Sequence, residues 1–341
     1  MLRCSMRLFL AVLLLASAAL AAAGSGGRAP RRCSGREPAP APAFTVTSKA
    51  DRISVSLDGA PYTDLIYGAH KPYLHPLRSA SGKIVSRRYP METVAGETHD
   101  HPHHRGLWFS HGAVSGYDFW GEEASGAKAG RIVLRKVLET AGGTGEGRLA
   151  AEFAWVDPSG QPLLVETRRM VFTAPEGLRI IDVDVDLAAA TAVTFGDTKE
   201  GTFAIRVAPE LEEPDPKAPA SPKRTGFMIN AEGATGEKNI WGKRSDWVDY
   251  SGYIGGEHLG IAIFDHPGNP RHPTWWHARG YGLFAANIFG LHDFANDASK
   301  DASLRLAPGE HLRFRYRVIV HPGDAAAARI AGAYSEYARP K

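Results

Sequence analysis

Arg313-Phe-Arg-Tyr-Arg-Val-Ile-Val320 alternates basic and apolar side chains before ending in an apolar run. Because successive side chains of a β-strand point to opposite faces, Phe314, Tyr316 and Val318 fall on one face. The segment therefore predicts a strand with one buried and one exposed face. Pro308-Gly-Glu310, just before it, is typical of a tight turn.

The same period of two residues recurs along most of the chain from Phe44 onward. Further predicted strands lie at 44–47, 52–57, 131–138, 148–155, 163–172, 178–187, 201–207, 247–253, 259–264, 282–288 and 311–321. Only the Ala-rich run from Asp324 to Tyr337 has the spacing of a helix. The alternation of strands with long helices that indicates a doubly wound sheet does not occur. The sequence predicts an all-β protein, a large antiparallel β-sandwich with one C-terminal helix.

The composition is that of a folded protein, since 43% of the 341 residues are hydrophobic, 23% are charged and two are cysteine. Residues 1–42 contain six arginines and one glutamate, so the formal charge of +3 for the whole chain leaves −2 for the remainder. A folded part of that charge has no basic patch for nucleic acid or anionic lipid. We therefore expect a small-molecule or oligosaccharide ligand, and neither nucleic acid nor a membrane as partner.

The N-terminal residues predict export. A basic start precedes the apolar run Leu8 to Leu20, and small residues follow at 21–23, as in a cleaved secretory signal peptide. Cleavage would leave Cys33 as the only cysteine, so stability must come from the core rather than from a disulfide. We expect a periplasmic or secreted protein. The predicted domains are a signal peptide at 1–23, a disordered linker at 24–42, a β-sandwich at 43–323 and a C-terminal helix at 324–341 that packs on it.

Residues 68–123 break the strand alternation and are rich in histidine. Five of the 14 histidines lie between His99 and His111, in the segment HDHPHHRGLWFSH. Bringing so many imidazoles together is unfavourable unless they bind a ligand or exchange protons. The cluster predicts a site for proton transfer or hydroxyl recognition. Imidazoles that merely stack and satisfy loop backbone groups are the alternative.

A metal site is a further interpretation of this cluster. The segment approaches the His-x-His-x-Asp-His pattern of metallo-β-lactamase-like hydrolases, but His103 stands where the Asp belongs. The cupin pattern needs a glutamate soon after its His-x-His pair, whereas Arg105 follows here and opposes a cation. We therefore expect no cofactor, and a transition metal held by His99, His101 and His103 is the alternative.

A lysine and a glutamate stand side by side before a predicted strand, in Asp197-Thr-Lys-Glu-Gly201. Glu200 is a candidate base and Lys199 a candidate electrophile. Adjacent strand residues point to opposite faces, so only one of the two faces a cleft unless the chain bends. A solvated ion pair at a turn is the alternative.

Tryptophans recur in Pro/Gly-rich segments beside polar residues. Trp247 precedes Asp249, and Trp275 precedes His277. Sugars stack their C–H faces on aromatic rings and direct their hydroxyls to nearby polar groups, so these segments favour carbohydrate recognition. Tryptophans buried in the core are the alternative. Templates for nucleotide binding and for a serine nucleophile elbow are absent from the sequence.

Six motifs, spread over about residues 44–321, carry a resemblance. They are Lys71-Pro-Tyr-Leu-His-Pro76, Asp100-His-Pro-His-His-Arg-Gly-Leu-Trp108, Gly116-Tyr-Asp-Phe-Trp120, Asp197-Thr-Lys-Glu-Gly201, Trp247-Val-Asp-Tyr-Ser-Gly252, and Trp276-His277 with Tyr281-Gly-Leu-Phe-Ala-Ala-Asn287. The combination resembles the bacterial "methane oxygenase PmoA family", a domain of unknown function. Methane oxidation is not expected, because no apolar stretch after residue 23 is long enough to span a membrane.

In its long strands and polar loops the family looks like the galactose mutarotase supersandwich of aldose epimerases and polysaccharide-processing proteins. The resemblance implies a sugar on the concave face of one large sheet. A histidine would protonate the ring oxygen and a carboxylate would deprotonate the anomeric hydroxyl. Our own hypothesis assigns His103 or His277 as the acid and Glu200 as the base.

We therefore expect an exported carbohydrate-active protein that performs acid–base chemistry on a sugar or sugar derivative, as an epimerase, lyase or hydrolase. A carbohydrate-binding protein without turnover and a metalloenzyme using the histidine cluster are the alternatives. The predicted catalytic residues are His103, His104, Glu200 and His277. The predicted substrate-binding residues are Lys71, His75, Arg105, Trp108, Lys199, Asp249 and Trp275.

Overall fold

The computed structural model describes residues 41–218 and 220–340, where two large antiparallel sheets and one small sheet account for the strands. The predicted all-β class is confirmed. The predicted signal peptide and nearly all of the predicted linker lie outside the described residues. Within the described part of the chain, no helix is both long and apolar enough to cross a bilayer.

The spatial order of the strands differs from their order along the chain. From one edge to the other, the nine-stranded sheet contains β16 (Trp275–Ala278), β17 (Leu283–Asn287), β12 (Gly201–Arg206), β5 (Leu107–His111), β4 (Tyr73–His75), β3 (Ala60–Ile66), β2 (Arg52–Leu57), β1 (Ala43–Ser48) and β7 (Gly143–Thr144). The eight-stranded sheet, again from one edge to the other, contains β13 (Phe227–Asn230), β14 (Trp247–Ile254), β15 (Glu257–Asp265), β19 (His311–Pro322), β10 (Arg179–Ala189), β9 (Pro162–Thr173), β8 (Glu146–Val156) and β6 (Arg131–Ala141). The small sheet pairs β11 (Val193–Phe195) with β18 (Leu304–Leu306). The helical segments are α1 (Glu237–Ile240), α2 (Leu291–Ala295), α3 (Ile330–Tyr337) and the 3-10 turns Glu122–Lys128 and Pro209–Leu211.

The core lies between the two large sheets, and aromatic rings join them. Phe314 and Tyr316 of β19 are each 1% exposed, as their alternation with arginine predicts. The Tyr316 ring stacks on Phe203 of β12 with centroids 4.4 Å apart, and Phe314 packs on Phe109 of β5 at 5.3 Å. Such aromatic pairs contribute about 0.5–1.5 kcal/mol each beyond the area they bury.

Charges on the outer face of the eight-stranded sheet support the same register. The paired positions of β10 and β19 are Asp182 with Arg317, Asp184 with Arg315, and Asp186 with Arg313. Arg317 donates to Asp182 at 2.6 Å, and Arg313 donates to Asp186 at 3.1 Å. A slip of one residue would turn the aspartates toward the core, so the charge pattern and the apolar pattern specify one pairing.

Strands β4 and β5 lie in the segment that does not alternate, and they were not predicted. Every residue of both strands is buried. Phe109 faces the core between the sheets, while Trp108 packs with Trp120 on the opposite face. A strand that is covered on both sides has no polar face, and so it lacks the period of two.

The C-terminal helix is shorter than predicted, since α3 begins at Ile330 rather than at Asp324. The Asp324 carboxylate accepts a backbone N–H three residues later and closes a turn there. Arg329 then has a left-handed backbone with φ of 54°, which separates that turn from the helix. Tyr334 of α3 packs edge-on against Phe264 of β15 with centroids 5.4 Å apart.

A buried histidine–aspartate pair crosses β15 on the eight-stranded sheet. His321 Nε2 lies 2.6 Å from Asp249 Oδ2, and both side chains are fully buried. Burial raises the pKa of the Asp249 carboxyl, against the opposing effect of His321. Gly260 lies opposite His321 in the register, and a Cβ there would lie 2.2 Å from the imidazole. Glycine is therefore required for the ring to pass over β15.

We expect Gly260→Ala to lower the free energy of unfolding by about 1–3 kcal/mol, because the added methyl overpacks the site against His321. Urea denaturation followed by tryptophan fluorescence measures this change. Gly332→Ala in α3 is the matched control, since its Cβ meets no atom within 4 Å and alanine favours a helix. Equal stability of the two variants would contradict this account of the His321–Asp249 pair.

Candidate functional site

The site lies on the face of the nine-stranded sheet that points away from the core. Phe109 faces the core, whereas the neighbouring Trp108 packs on the opposite side with Ala204 and Ala285. His277 of β16 lies opposite Ala285 of β17 in the register, which puts its side chain on that same face. Strands β5, β12 and β16 thus direct their outward residues to one region.

A cavity of about 910 Å³ opens there, which lies within the range of small-molecule sites. It is formed by the loop before β5, the residues after β5, the bend before β12, the end of β16, and the turn that contains Glu122–Lys128. The sequence-predicted residues that line it are His101, His103, His104, Lys199, Glu200 and His277.

The imidazoles of the loop form a stack. His101 lies parallel to His104 with centroids 4.7 Å apart, and Tyr281 covers the other face of His101 at 5.4 Å. His104 in turn stacks on Trp108 at 5.4 Å. His103 stands edge-on to His104 at 4.5 Å. The rings therefore support one another and also line the cavity, so the two interpretations of the histidine cluster do not exclude each other.

Asp100 anchors this loop through two buried arginines. Arg87 donates to Asp100 Oδ1 at 2.9 Å, and Arg206 lies 3.3 Å from Oδ2. Burial alone would raise the pKa of the Asp100 carboxyl, but the hydrogen bond from His101, the charge of Arg206, the Thr98 hydroxyl and the charge of Arg87 hold it well below its usual value. Asp100 is therefore an acceptor that holds the loop in place. Neither arginine belongs to a local motif, and sequence reasoning missed both.

Three histidines of the cavity are held in their neutral form. Burial lowers the pKa of His103 to about 4, with further effects of Lys71 and His101. Burial also lowers the pKa of His277 to about 4, although Glu200 opposes the shift. The pKa of His104 lies well below its ordinary value for the same reason. These imidazoles can donate or accept hydrogen bonds at pH 7 without carrying charge.

One tautomer of His277 follows from its surroundings. Its Nδ1 lies 2.9 Å from the backbone oxygen of Lys199. A carbonyl oxygen only accepts, so Nδ1 carries the proton of the neutral ring. Nε2 is then left with a lone pair and is a hydrogen-bond acceptor.

Lys199 and Glu200 both line the cavity because the chain bends at these two residues. The Lys199 ammonium lies 2.9 Å from Glu200 Oε1, and each side chain is about one-third exposed. Gly112 donates its N–H to the Glu200 backbone oxygen at 2.7 Å, and a Cβ at Gly112 would lie 2.9 Å from the Glu200 Cβ. The backbone of Glu200 is therefore fixed by a close approach that only glycine allows.

Lys71 and Arg105 brace the cavity wall instead of lining it. The buried Lys71 ammonium donates to Glu122 Oε1 at 2.7 Å and to the Trp120 backbone oxygen at 2.9 Å. Arg105 Nε donates to the other oxygen of Glu122 at 3.0 Å. Burial lowers the pKa of Lys71, while Glu122 opposes that shift. The carboxylate thus holds the turn that forms one wall of the site.

The structure places four other predicted substrate-binding residues away from the cavity surface. Trp108 is fully buried behind His104. His75 of β4 is buried, and both of its ring nitrogens lack a hydrogen-bond partner within the described part of the chain. Asp249 belongs to the eight-stranded sheet. Trp275 has the guanidinium of Arg244 over its ring, 4.8 Å from the centroid.

Several lining residues were not selected from the sequence. Asp118 Oδ1 accepts the backbone N–H groups of Trp120 at 2.7 Å and Gly121 at 3.0 Å, which shapes the turn beside the cavity. Asp118 stands in one of the quoted motifs, and that signal could have identified it. The other lining residues with polar side chains are Ser125, Lys128, Arg279 and Tyr281.

The three histidines considered as metal ligands make different contacts. His99 stacks on Tyr89 with centroids 4.5 Å apart, and His101 Nδ1 lies 2.6 Å from Asp100. His103 packs edge-on to both His101 and His104. Within residues 41–218 and 220–340, no group of three or more His, Cys, Asp or Glu is placed to hold a metal ion.

A family model described as "Family of unknown function (DUF6807)" matches residues 52–335. The chain belongs to the DUF6807 family. The PmoA label suggested by the motifs has no support from this match. No curated protein matches the chain.

Solved structures resemble this DUF6807 protein in fold. A galactose mutarotase-like protein from Clostridium acetobutylicum is 8% identical, with a TM-score of 0.40 over 83% of this chain and 99% of that one. A galactose mutarotase related enzyme from Lactobacillus acidophilus is 9% identical, with a TM-score of 0.33 over 82% and 97%. A GH36 alpha-galactosidase from Geobacillus stearothermophilus is 9% identical, with a TM-score of 0.35 over 82% of this chain and 40% of that one. At these identities the likeness concerns the fold alone.

The buried imidazoles predict acid sensitivity. Burial lowers the pKa of His75 to about 4, so the unfolded chain binds more protons than the folded DUF6807 protein between about pH 6.5 and pH 4. Stability is therefore complete above that window and is lost as the pH falls through it. We expect His75→Leu to reduce the loss of unfolding free energy between pH 7 and pH 4.5 by about 2 kcal/mol.

Urea denaturation at several pH values measures this difference. His258→Gln is the control, because His258 is only partly buried and stacks on the exposed Tyr253. Parallel curves for wild type and His75→Leu would show that His75 does not contribute to the acid sensitivity.

Proposed function

We propose that this protein binds a sugar or sugar derivative in the 910 Å³ cavity and catalyses proton transfer on it. The observation that supports this most directly is the meeting of neutral imidazoles with a carboxylate and an ammonium in one cavity. His103, His277, Lys199 and Glu200 come from three separate segments and line the same space. Such a set supplies proton acceptors and donors within reach of one ligand.

The environment of the tryptophans favours hydrogen-bond chemistry over aromatic stacking. Trp108, Trp120 and Trp276 are at most 1% exposed, and Trp247 is 6% exposed. Their rings pack inside the protein, as the core interpretation of these residues expected. Trp120 lines the cavity with little of its ring exposed, so a ligand there would meet imidazole, ammonium, guanidinium, carboxylate and hydroxyl groups beside it. A protein that binds sugar only by stacking would need free aromatic faces.

The two acceptors in our proposal are the Glu200 carboxylate and His277 Nε2. Glu200 would take the proton from a sugar hydroxyl, and the Lys199 ammonium beside it would stabilise the oxygen that develops negative charge. The pKa near 4 of His103 and His277 makes them weak candidates for the acid role expected from the sequence. In the revised assignment they orient hydroxyls as neutral hydrogen-bonding groups.

The cellular setting of this activity is also a proposal. The apolar run Leu8 to Leu20 predicts export, so the substrate would be an extracellular or periplasmic sugar. The reaction class that the cavity favours is epimerisation, elimination or hydrolysis, each of which begins with a proton transfer.

Glu200→Gln keeps the shape of the side chain and removes the base. Once a panel of mono- and disaccharides has identified a substrate by NMR and polarimetry, we expect this variant to lose at least about 100-fold in kcat. Its dissociation constant for the sugar should change far less, because the amide still forms hydrogen bonds. Glu176→Gln, in the exposed turn between β9 and β10, is the matched control.

Two outcomes would separate the alternatives. Sugar binding by the wild type without any turnover would favour a carbohydrate-binding protein. Full turnover by Glu200→Gln would overturn the assignment of the base.

The pH dependence of turnover tests the revised role of the histidines. Because burial lowers the pKa of His103 and His277 to about 4, both stay neutral from pH 8 down to mildly acidic pH. We expect that protonation of these two imidazoles does not lower kcat/KM near pH 6.5. Their protonation should lower kcat/KM only as the pH approaches 4. Tryptophan fluorescence at each pH would verify that the protein is still folded. A decline centred near pH 6.5 that His277→Asn removes would contradict the assignment.

A further inference from the structure

A second cavity, of about 480 Å³, lies directly beside the first. Tyr281 lines both cavities. The two also meet along the backbone, since His101 lines the first and Asp100 the second, while Arg279 lines the first and Gly280 the second. The two cavities therefore adjoin at Tyr281.

Buried charged side chains that pair with one another form the floor of the second cavity. Arg206 and Arg224 both contact the buried Glu212 carboxylate, at 3.3 Å and 2.8 Å. Arg206 also lies 3.3 Å from Asp100, the residue that holds the histidine loop in place, so the second cavity is in direct contact with the base of that loop. The side chain of Arg206 is 1% exposed, and its Nε has no hydrogen-bond partner among the described residues.

Tyr281 stands at the junction with its ring faces covered. His101 stacks on it at 5.4 Å, and the Arg206 guanidinium lies 4.5 Å from the ring centroid. No hydrogen bond to its hydroxyl is found within the described part of the chain. Burial raises the pKa of Tyr281 to about 12, so the phenol keeps its proton and can donate. The junction therefore offers a hydroxyl group and no stacking surface.

The charges of the second cavity disfavour an anionic occupant. Its lining contains five carboxylates, Asp100, Glu212, Glu213, Asp215 and Glu237, and three cations, Arg206, Lys217 and Arg224. Glu213 and Glu237 approach each other at Gly280, where a Cβ would lie 3.0 Å and 3.3 Å from their carboxylate oxygens. Alternating donors and acceptors with a net negative charge suit hydroxyl groups better than carboxylate or phosphate groups.

We propose that the two cavities are adjoining subsites for a ligand of at least two sugar units, with a neutral unit in the second cavity and the Tyr281 hydroxyl at the linkage between them. This inference rests on the proposed function, because it assumes that a sugar occupies the first cavity. It makes the ligand an oligosaccharide or a glycoside. Selection by chain length would then come from the second cavity and proton transfer from the first.

The test compares the binding of monosaccharides, neutral disaccharides and uronic-acid-containing disaccharides to the whole protein by isothermal titration calorimetry. Glucose, galactose, cellobiose, maltose and lactose are suitable neutral probes. We expect the best neutral disaccharide to bind at least about tenfold more tightly than either of its monosaccharides, and the acidic disaccharides to lose that gain.

Two variants in the second cavity test whether the gain in affinity for disaccharides comes from this region. Gly280→Ala places a methyl between Glu213 and Glu237, and Glu213→Gln changes the carboxylate with little change in shape. Each should reduce disaccharide affinity about tenfold and leave monosaccharide affinity within about twofold. Gly332→Ala in α3 is the control, and thermal unfolding shows which variants fold.

The outcomes distinguish this inference from the function on which it rests. A wild type that binds no sugar would overturn both. Equal affinity for mono- and disaccharides, or an equal loss for both ligands in folded Gly280→Ala and Glu213→Gln, would overturn only the second subsite.

Discussion

Strand β5 is buried on both faces, and the fold and the candidate site both depend on it. Phe109 fills the core between the sheets, while Trp108 on the other face supports the stacked imidazoles. The histidine loop enters the strand at Gly106, where φ is 52° and a Cβ would lie 2.1 Å from the Leu74 backbone oxygen. At the far end, Gly112 leaves the strand against Glu200. A short buried strand thus positions the imidazoles at one end and the carboxylate at the other, and close packing on both faces leaves it little room to shift.

The imidazole stack is unfavourable in itself, and two features make it tolerable. Burial removes the positive charge from His103 and His104, so neighbouring rings do not repel one another. The charge that remains at the base of the loop belongs to Asp100, and Arg87 and Arg206 neutralise it from inside the protein. The loop is therefore held by ion pairs beneath it, while His103 and His104 stay neutral. Neutral polar rings suit hydroxyl groups, which are recognised by directed hydrogen bonds more than by charge.

The strands with one exposed face could be predicted from the sequence, because polar and apolar residues alternate there as they do around Tyr316. The site could be predicted only in part, since a residue type shows which chemistry is available and not where the side chain lies. Lys71 and Asp249 looked like ligand-binding charges, yet their partners Glu122 and His321 lie 51 and 72 positions further along the chain. No local spacing indicates a buried pair of that kind. The histidines and Glu200 were found because their clustering is chemically unusual, even though the loop and the bend are brought together only by the sheet.

The two large sheets contribute different parts of the structure. The main cavity is lined by His277 of β16 and by loops that adjoin β5, β12 and β16, three strands of the nine-stranded sheet. The eight-stranded sheet supplies the other half of the core, the paired aspartates and arginines on its outer face, and the histidine–aspartate pair across β15. Register on that side is specified by many weak contacts that lie away from the main cavity. Substitutions in the loops of the cavity can therefore change its lining without disturbing the pairing of the long strands in the eight-stranded sheet, because the charges that specify that pairing and the cavity lie on opposite sides of one apolar core.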